Sequence, residues 1–248
     1  VEGTGTLYFP WSPDMPPVSP NSMNDEWDSP TLNARWSPFN IQSGNPLTYT
    51  IADSAITLNI PIDGGVGTRI WQGLSQPVPA TPWGFIIKVR GALLTTIYNF
   101  AGFIVANSST LQGISYGLDW HSSYGEPCFF SGASPNYTAH TTNDVANRNG
   151  SGTPIAPFGS QWFAQGSSTL TQAATGGSPI QTHWLAIVSD GTNLYFSVSL
   201  DGKNFTLLWD QAISSYFSSA PDLIVIGGEA ISASSPSLIT LDYFRRFL

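Results

Sequence analysis

The chain has 248 residues, 41% of them hydrophobic and 13% aromatic, which is enough for one large β domain and too aromatic for a disordered one. Charged residues make up 10%, where an average soluble protein has about 25%, and the net charge is −8. A phosphate backbone needs a basic stripe and none is visible, and no run reaches the roughly 18 apolar residues of a membrane span. Nucleic acid and membrane insertion are therefore excluded as partners.

Residues 1–23 carry Pro10, Pro13, Pro16, Pro17 and Pro20, a density that favours extended structure. Tyr8, Phe9 and Trp11 favour an assembly arm that docks on a neighbouring subunit over a solvated leader. The first residues show no basic and apolar regions of a signal peptide. A globular domain is expected over 24–248, opened by Asn24–Trp36. Strand candidates follow at Leu47–Ile51, Ala55–Ile60, Thr68–Gly73, Trp83–Val89, Phe100–Ala106, Gly113–Trp120 and Pro127–Phe130, punctuated by Gly, Pro, Asn and Asp. From Ser131 to Thr182 runs a long polar stretch interrupted at Ile155–Phe158 and Gln161–Phe163, and a loop of that length is usually functional or locally disordered.

His183–Trp209 reads as a three-stranded meander. Asp190-Gly191 and Asp201-Gly202 supply tight turns, and Leu194, Phe196, Val198 and Leu200 alternate onto one face. Phe205, Leu207 and Trp209 continue that face. One helical turn is expected within 212–218, and closing strands at Asp222–Gly228 and Leu238–Phe247, the last paired near the opening segment. About a dozen strands without helices predict two packed antiparallel sheets.

Cys128 is the single cysteine, which leaves no internal disulfide and no cysteine metal cage. His121, His140 and His183 are scattered, and Asp25, Glu26, Asp28 and Asp242 read as edge carboxylates before they read as a calcium site, so neither metal nor cofactor is expected. Gly113-Ile-Ser-Tyr-Gly117 matches the G-x-S-x-G elbow, but a strand continues past it where that motif requires a helix. Trp36, Trp184 and Trp209 lie in strand patterns and read as core. Trp71, Trp83, Trp120 and Trp162 lie near strand ends or loops, where both exposure and core packing stay open, core packing being the commoner fate of a tryptophan.

Trp27-Asp28 to Trp36, together with Leu241-Asp242-Tyr243-Phe244-Arg245, resembles the first and last strands of concanavalin A-like jelly-roll domains. The segments Thr68–Ile70, Ala80–Trp83, Asn99–Ser108, Trp184–Asn193 and Phe196–Phe205 are similar to the branch carried by bacteriophage tail, fibre and other virion proteins. The resemblance spans about residues 24 to 248. It implies an all-β concanavalin A-like sandwich (jelly roll) of two antiparallel sheets. It also implies a structural virion component, made in the host cytoplasm and carried on the extracellular particle, whose partners are other virion proteins and copies of itself. A secreted or cell-surface carbohydrate-binding module is the alternative.

Jelly rolls of this class include glucanases, which work through two carboxylates on one strand, spaced Glu-x-Asp-x-x-Glu or Glu-x-Asp-x-Glu. Here the glutamates are Glu2, Glu26, Glu126 and Glu229, and Glu26-Trp-Asp28 lacks the second glutamate. The expectation is a chain without enzymatic activity, a degraded or unusual glycoside hydrolase being the alternative from that class. Trp120, His121 and Tyr124 follow the Gly113–Trp120 strand. With Trp162 they predict a glycan platform in which Asp119 and Gln161 are hydrogen-bonding partners.

Overall fold

The computed structural model describes residues 22–41, 45–62, 70–93, 100–121, 126–134, 137, 182–199, 201–230 and 236–248. Its strands are β1 (Ser37–Phe39), β2 (Thr48–Ala52), β3 (Ala55–Ile60), β4 (Gln72–Pro77), β5 (Trp83–Leu93), β6 (Phe100–Ala106), β7 (Gly113–His121), β8 (Glu126–Ser134), β9 (His183–Ser189), β10 (Asn193–Ser199), β11 (Thr206–Ala212), β12 (Leu223–Glu229) and β13 (Ser237–Arg246). A six-stranded sheet runs β1-β4-β12-β6-β7-β8 and a seven-stranded sheet runs β11-β10-β9-β5-β13-β3-β2. All neighbouring strands within them are antiparallel. Helix among the described residues is one 3-10 turn, Ile213–Ser215, inside the stretch expected to form one. The two packed antiparallel sheets expected from strand spacing, and the all-β jelly-roll sandwich that the resemblance implies, are what the chain forms.

Alternation builds the core. Ile56, Leu58 and Ile60 of β3, Phe85, Ile87 and Val89 of β5, and Phe103 and Val105 of β6 point between the sheets, each at most 1% exposed. Tyr116 of β7 is fully buried. Its hydroxyl donates to the Ser197 carbonyl at 2.7 Å, which ties the two sheets together, and burial raises its pKa well above the phenolic value. The opening segment closes one end of this core. Trp27 stacks on Trp36 with centroids 5.5 Å apart, and Trp36 meets Phe244 edge-on at 5.0 Å. Asp25 and Phe244 exchange both backbone hydrogen bonds, at 2.8 and 2.9 Å, so the last strand does pair with the opening segment.

A second apolar layer covers the outer face of the six-stranded sheet: Phe39, Trp71, Phe100, Ile104, Ala106, Val225 and Tyr137. Of the two fates open to Trp71 and Trp83, exposure or core, both residues take the core. Trp71 is 0% exposed in this outer layer, and Trp83, at 1%, turns into the space between the sheets. Across the same outer face Gly73, Gly227, Gly102 and Gly117 stand directly opposite one another on β4, β12, β6 and β7. The backbones approach so closely there that a Cβ on Gly227 would lie 2.1 Å from the Gln72 carbonyl oxygen.

Two boundaries differ from expectation. The strand foreseen at Thr68–Gly73 is β4, displaced to Gln72–Pro77, and residues 63–69 lie outside the described residues. Its polar Gln72 and Gln76 are each 2% exposed and satisfied by distant loops, since Gln72 binds Leu47 N and Asn45 O and Gln76 binds Met23 O. In the meander, β10 and β11 are joined by residues 200–205 in place of a two-residue turn. A bulge in β11 then sets Leu207 opposite Ser197, on the outward face and not with Phe196.

The meander turns are built on carboxylates. Asp201 Oδ1 accepts from Asn204 N and Lys203 N, both at 2.8 Å, and these bonds hold its pKa well below the usual carboxylate range. At Asp190 burial works against the charge, but donors from Asn193 N, Thr192 N and the Tyr195 hydroxyl outweigh it and lower the pKa. A carboxyl whose pKa is depressed by folding stabilises the fold above its unfolded value of about 3.9 and loses that contribution as pH falls through the folded value. The thermal stability of wild type should therefore decrease at pH values under about 4, and Asp201→Asn should show a smaller acid loss. An identical acid profile in the variant would remove Asp201 as a cause.

Candidate functional site

Where the outer face of the six-stranded sheet carries an apolar layer, the outer face of the seven-stranded sheet carries aromatic rings beside charges. Strand register puts Ser199 of β10, Trp184 of β9, Lys88 of β5 and Tyr243 of β13 in one row. Because Leu185 and Ile187 turn inward, Trp184 must turn outward, and it is half-buried. The expectation of a core Trp184 is corrected on that ground. The backbone of Trp209 lies opposite Phe196, and its side chain lies outside the described residues.

Trp184 reaches across the row, its Nε1 donating to the Tyr243 hydroxyl at 2.7 Å, while the Lys88 ammonium sits 5.5 Å from its ring centroid. The turn at residues 201–204 abuts the indole. Gly202 has φ +72°, and a Cβ there would meet the ring at 2.7 Å, so a glycine fits on both counts. Burial raises the pKa of Tyr243. On the other side the Arg245 guanidinium lies 3.9 Å from the Tyr243 ring centroid. Arg245 also makes a bidentate pair with Glu26, at 2.6 and 2.7 Å, and that bond raises its pKa.

Asp242 reaches this face through an irregularity in β13. Register shifts on either side of Leu241 leave Asp242 unopposed, so both Asp242 and Tyr243 turn outward. Asp242 then pairs with Lys88 at 2.7 Å and with Arg90, whose Nη2 donates to the Asp53 carbonyl at 3.2 Å. Asp25 is occupied by Trp27 N and Trp36 Nε1. Among the described residues no group of three or more His, Cys, Asp or Glu is placed to hold a metal ion. What the face offers is an aromatic surface bordered by donors and acceptors.

Of the residues singled out in the sequence, Asp119, Trp120 and His121 are on β7, which runs one residue further than expected, with their Cα atoms opposite Cys128, Pro127 and Glu126. Their side chains lie outside the described residues, as do Tyr124, Gln161 and Trp162 and the arm residues Tyr8, Phe9 and Trp11. The β7 group is on the six-stranded sheet and does not join the Trp184 face. Sequence reasoning missed Lys88, Arg90, Asp242, Tyr243, Arg245 and Glu26 as a group. The available signal was that Lys88 and Arg90 interrupt the apolar strand Trp83–Val89 and its continuation at outward positions.

Two packed antiparallel sheets with this strand order define a jelly-roll sandwich of the concanavalin-like kind. No protein-family model and no curated protein matches the sequence. The chain is similar in fold to a xylan β-1,4-xylosidase from Bacillus halodurans C-125, with TM-score 0.57 and 10% identity over 93% of this chain and 40% of that one. It is similar also to the GH43 protein BlXynB from Bacillus licheniformis, with TM-score 0.59 and 11% identity over 94% of this chain and 40% of that one. A CBM2 module of the evolved Dit of Lactobacillus casei BL23 phage J-1 aligns at TM-score 0.47 and 12% identity, over 90% of this chain and 94% of that one, and at that score it carries no argument. The chain thus spans about 40% of the length of these two Bacillus proteins. These neighbours correct the expectation of a chain without enzymatic activity. Glycoside hydrolases contain this fold, so a missing Glu-x-Asp-x-x-Glu does not exclude hydrolysis.

Proposed function

We propose that the chain is a structural β-sandwich of a phage virion that engages host surface glycans, assembling with copies of itself and with other virion proteins. The observation that carries the glycan part is the outer face of the seven-stranded sheet. There Trp184 and Tyr243 offer ring surface for the apolar C–H faces of a sugar, and Lys88, Arg90, Asp242, Arg245 and Glu26 offer partners for hydroxyls. The virion part is supported by the order of sequence segments from Trp27 to Arg245. The arm with Tyr8, Phe9 and Trp11, and the β7 group of Asp119, Trp120 and His121 with Tyr124, Gln161 and Trp162, belong to this proposal as assembly and second glycan contacts.

A single shallow site of this type binds at about millimolar, some −4 kcal/mol, and several copies acting together raise that to useful attachment. Adsorption of the purified chain to host cells and to insoluble polysaccharides tests the reading. Trp184→Ala should keep the fold, because the ring is half outside the core, and lose most adsorption. Unchanged adsorption by the folded variant removes this face from the proposal. Reducing-end release from any polysaccharide that binds decides whether the glycan is held or also cleaved.

A further inference from the structure

We infer that the sugar taken by the Trp184 face carries a carboxylate, as a uronic or sialic acid does, and that Lys88 and Arg90 hold it. The inference rests on the glycan reading above and adds the charge class of the ligand.

The argument begins with a local surplus. Lys88 and Arg90 share a single carboxylate, Asp242, whereas Arg245 has Glu26 to itself. Two cations against one anion leave one positive charge beside Trp184, in a chain with 16 acidic and eight basic residues. Four of those eight, Lys88, Arg90, Arg245 and Arg246, lie on β5 and β13.

Burial orders the charges in depth. The Asp242 side chain is 15% exposed, Lys88 30% and Arg90 46%, so the shared carboxylate lies beneath and the cations face out. Arg90 commits Nε to Asp242 and Nη2 to the Asp53 carbonyl, and Nη1 has no partner among the described residues. A guanidinium edge held in this way suits a planar carboxylate better than a lone hydroxyl. The Lys88 ammonium is already over the indole, which puts the charge and the stacking surface within one sugar's reach. A neutral glycan would use the ring and leave the surplus charge unanswered.

The test titrates the full chain with trisaccharides ending in galacturonate, glucuronate or sialate, each beside its own methyl ester, which keeps the ring and removes the charge. At low salt at least one acid should bind about tenfold more tightly than its ester, and the advantage should shrink as salt rises. Arg90→Gln and Lys88→Gln should each reduce the acid towards the ester and leave ester binding in place, and Arg90→Lys should keep part of the preference. Arg90 is the most exposed of the group, so its variants fold even where the Lys88 variant does not. Equal binding of acid and ester in every pair overturns the inference, as does a preference that survives the double Lys88→Gln, Arg90→Gln variant. Equal binding that is still lost in Trp184→Ala overturns the charge class alone, whereas adsorption that ignores Trp184 removes the platform itself.

Discussion

Replacing Phe244 by alanine should destabilise the sandwich by about 3–5 kcal/mol, the range for deleting a buried aromatic ring. Its side chain is 0% exposed and is the point where three parts of the core meet. Trp36 comes from the opening segment at 5.0 Å, Phe85 from β5 at 5.0 Å and Phe103 from the facing sheet at 6.3 Å. Truncation opens a cavity that neighbours held in two different sheets cannot collapse to fill. Domains of ordinary size are stable by about 5–15 kcal/mol, so the loss is a large share of the whole. Urea unfolding of wild type and variant checks it, with the midpoint lowered and the denaturant slope unchanged. A loss below about 1 kcal/mol, the size of an exposed substitution, would mean that these rings do not form one core.

Gly227→Ala should cost as much as the upper end of overpacking, about 3 kcal/mol, although it adds a single methyl group. The new Cβ would lie 2.1 Å from the Gln72 carbonyl oxygen and 2.7 Å from the Gly73 Cα. Both are backbone atoms of a central strand, so no side chain can swing aside to make room. The contrast is Gly91→Ala on β5, where nothing lies within 4 Å of the added carbon. That change should be neutral or stabilise by up to about 1 kcal/mol, by restricting the unfolded chain. Paired melting curves of the two variants read the difference directly. Equal behaviour would show that the glycine row is incidental to the packing.

The parts legible in the sequence are those where local pattern and burial agree. Ala55–Ile60 and Phe100–Ala106 were bounded to the residue, because an apolar run or alternation ends at a turn residue and the strand ends with it. β1 and β4 were not. Ser37–Phe39 is too short to show a period, and the buried Ser75 and Gln76 look like loop until their partners Ser37 and Met23 are brought in by the fold. Tryptophan position left Trp71 open and misled at Trp184 for one reason. Trp71 is covered by a layer whose members are far apart in the chain, while Trp184, inside a strand, faces away from the core. The Trp184 site was illegible for a stricter reason. Lys88 and Tyr243 face one another only through the register of β5 with β13, and Asp242 joins them only because that register slips. A single strand's pattern contains neither piece of information.

The place of β13 has a consequence for how the chain comes to be. It lies between β5 and β3 in the interior of its sheet, yet it is made after every other described strand. Until Ser237–Arg246 emerges, β3 with β2 on one side and β5 with β9, β10 and β11 on the other are two fragments with raw hydrogen-bonding margins and no seam. Arrival of the seam also clamps the opening segment through Asp25. Closure therefore waits for β13 and depends on contacts between residues far apart in the chain, which is the slow regime, on the order of milliseconds to seconds. During that interval the unfinished margins are open to chaperones and proteases, and a chain interrupted before Ser237 never leaves that state.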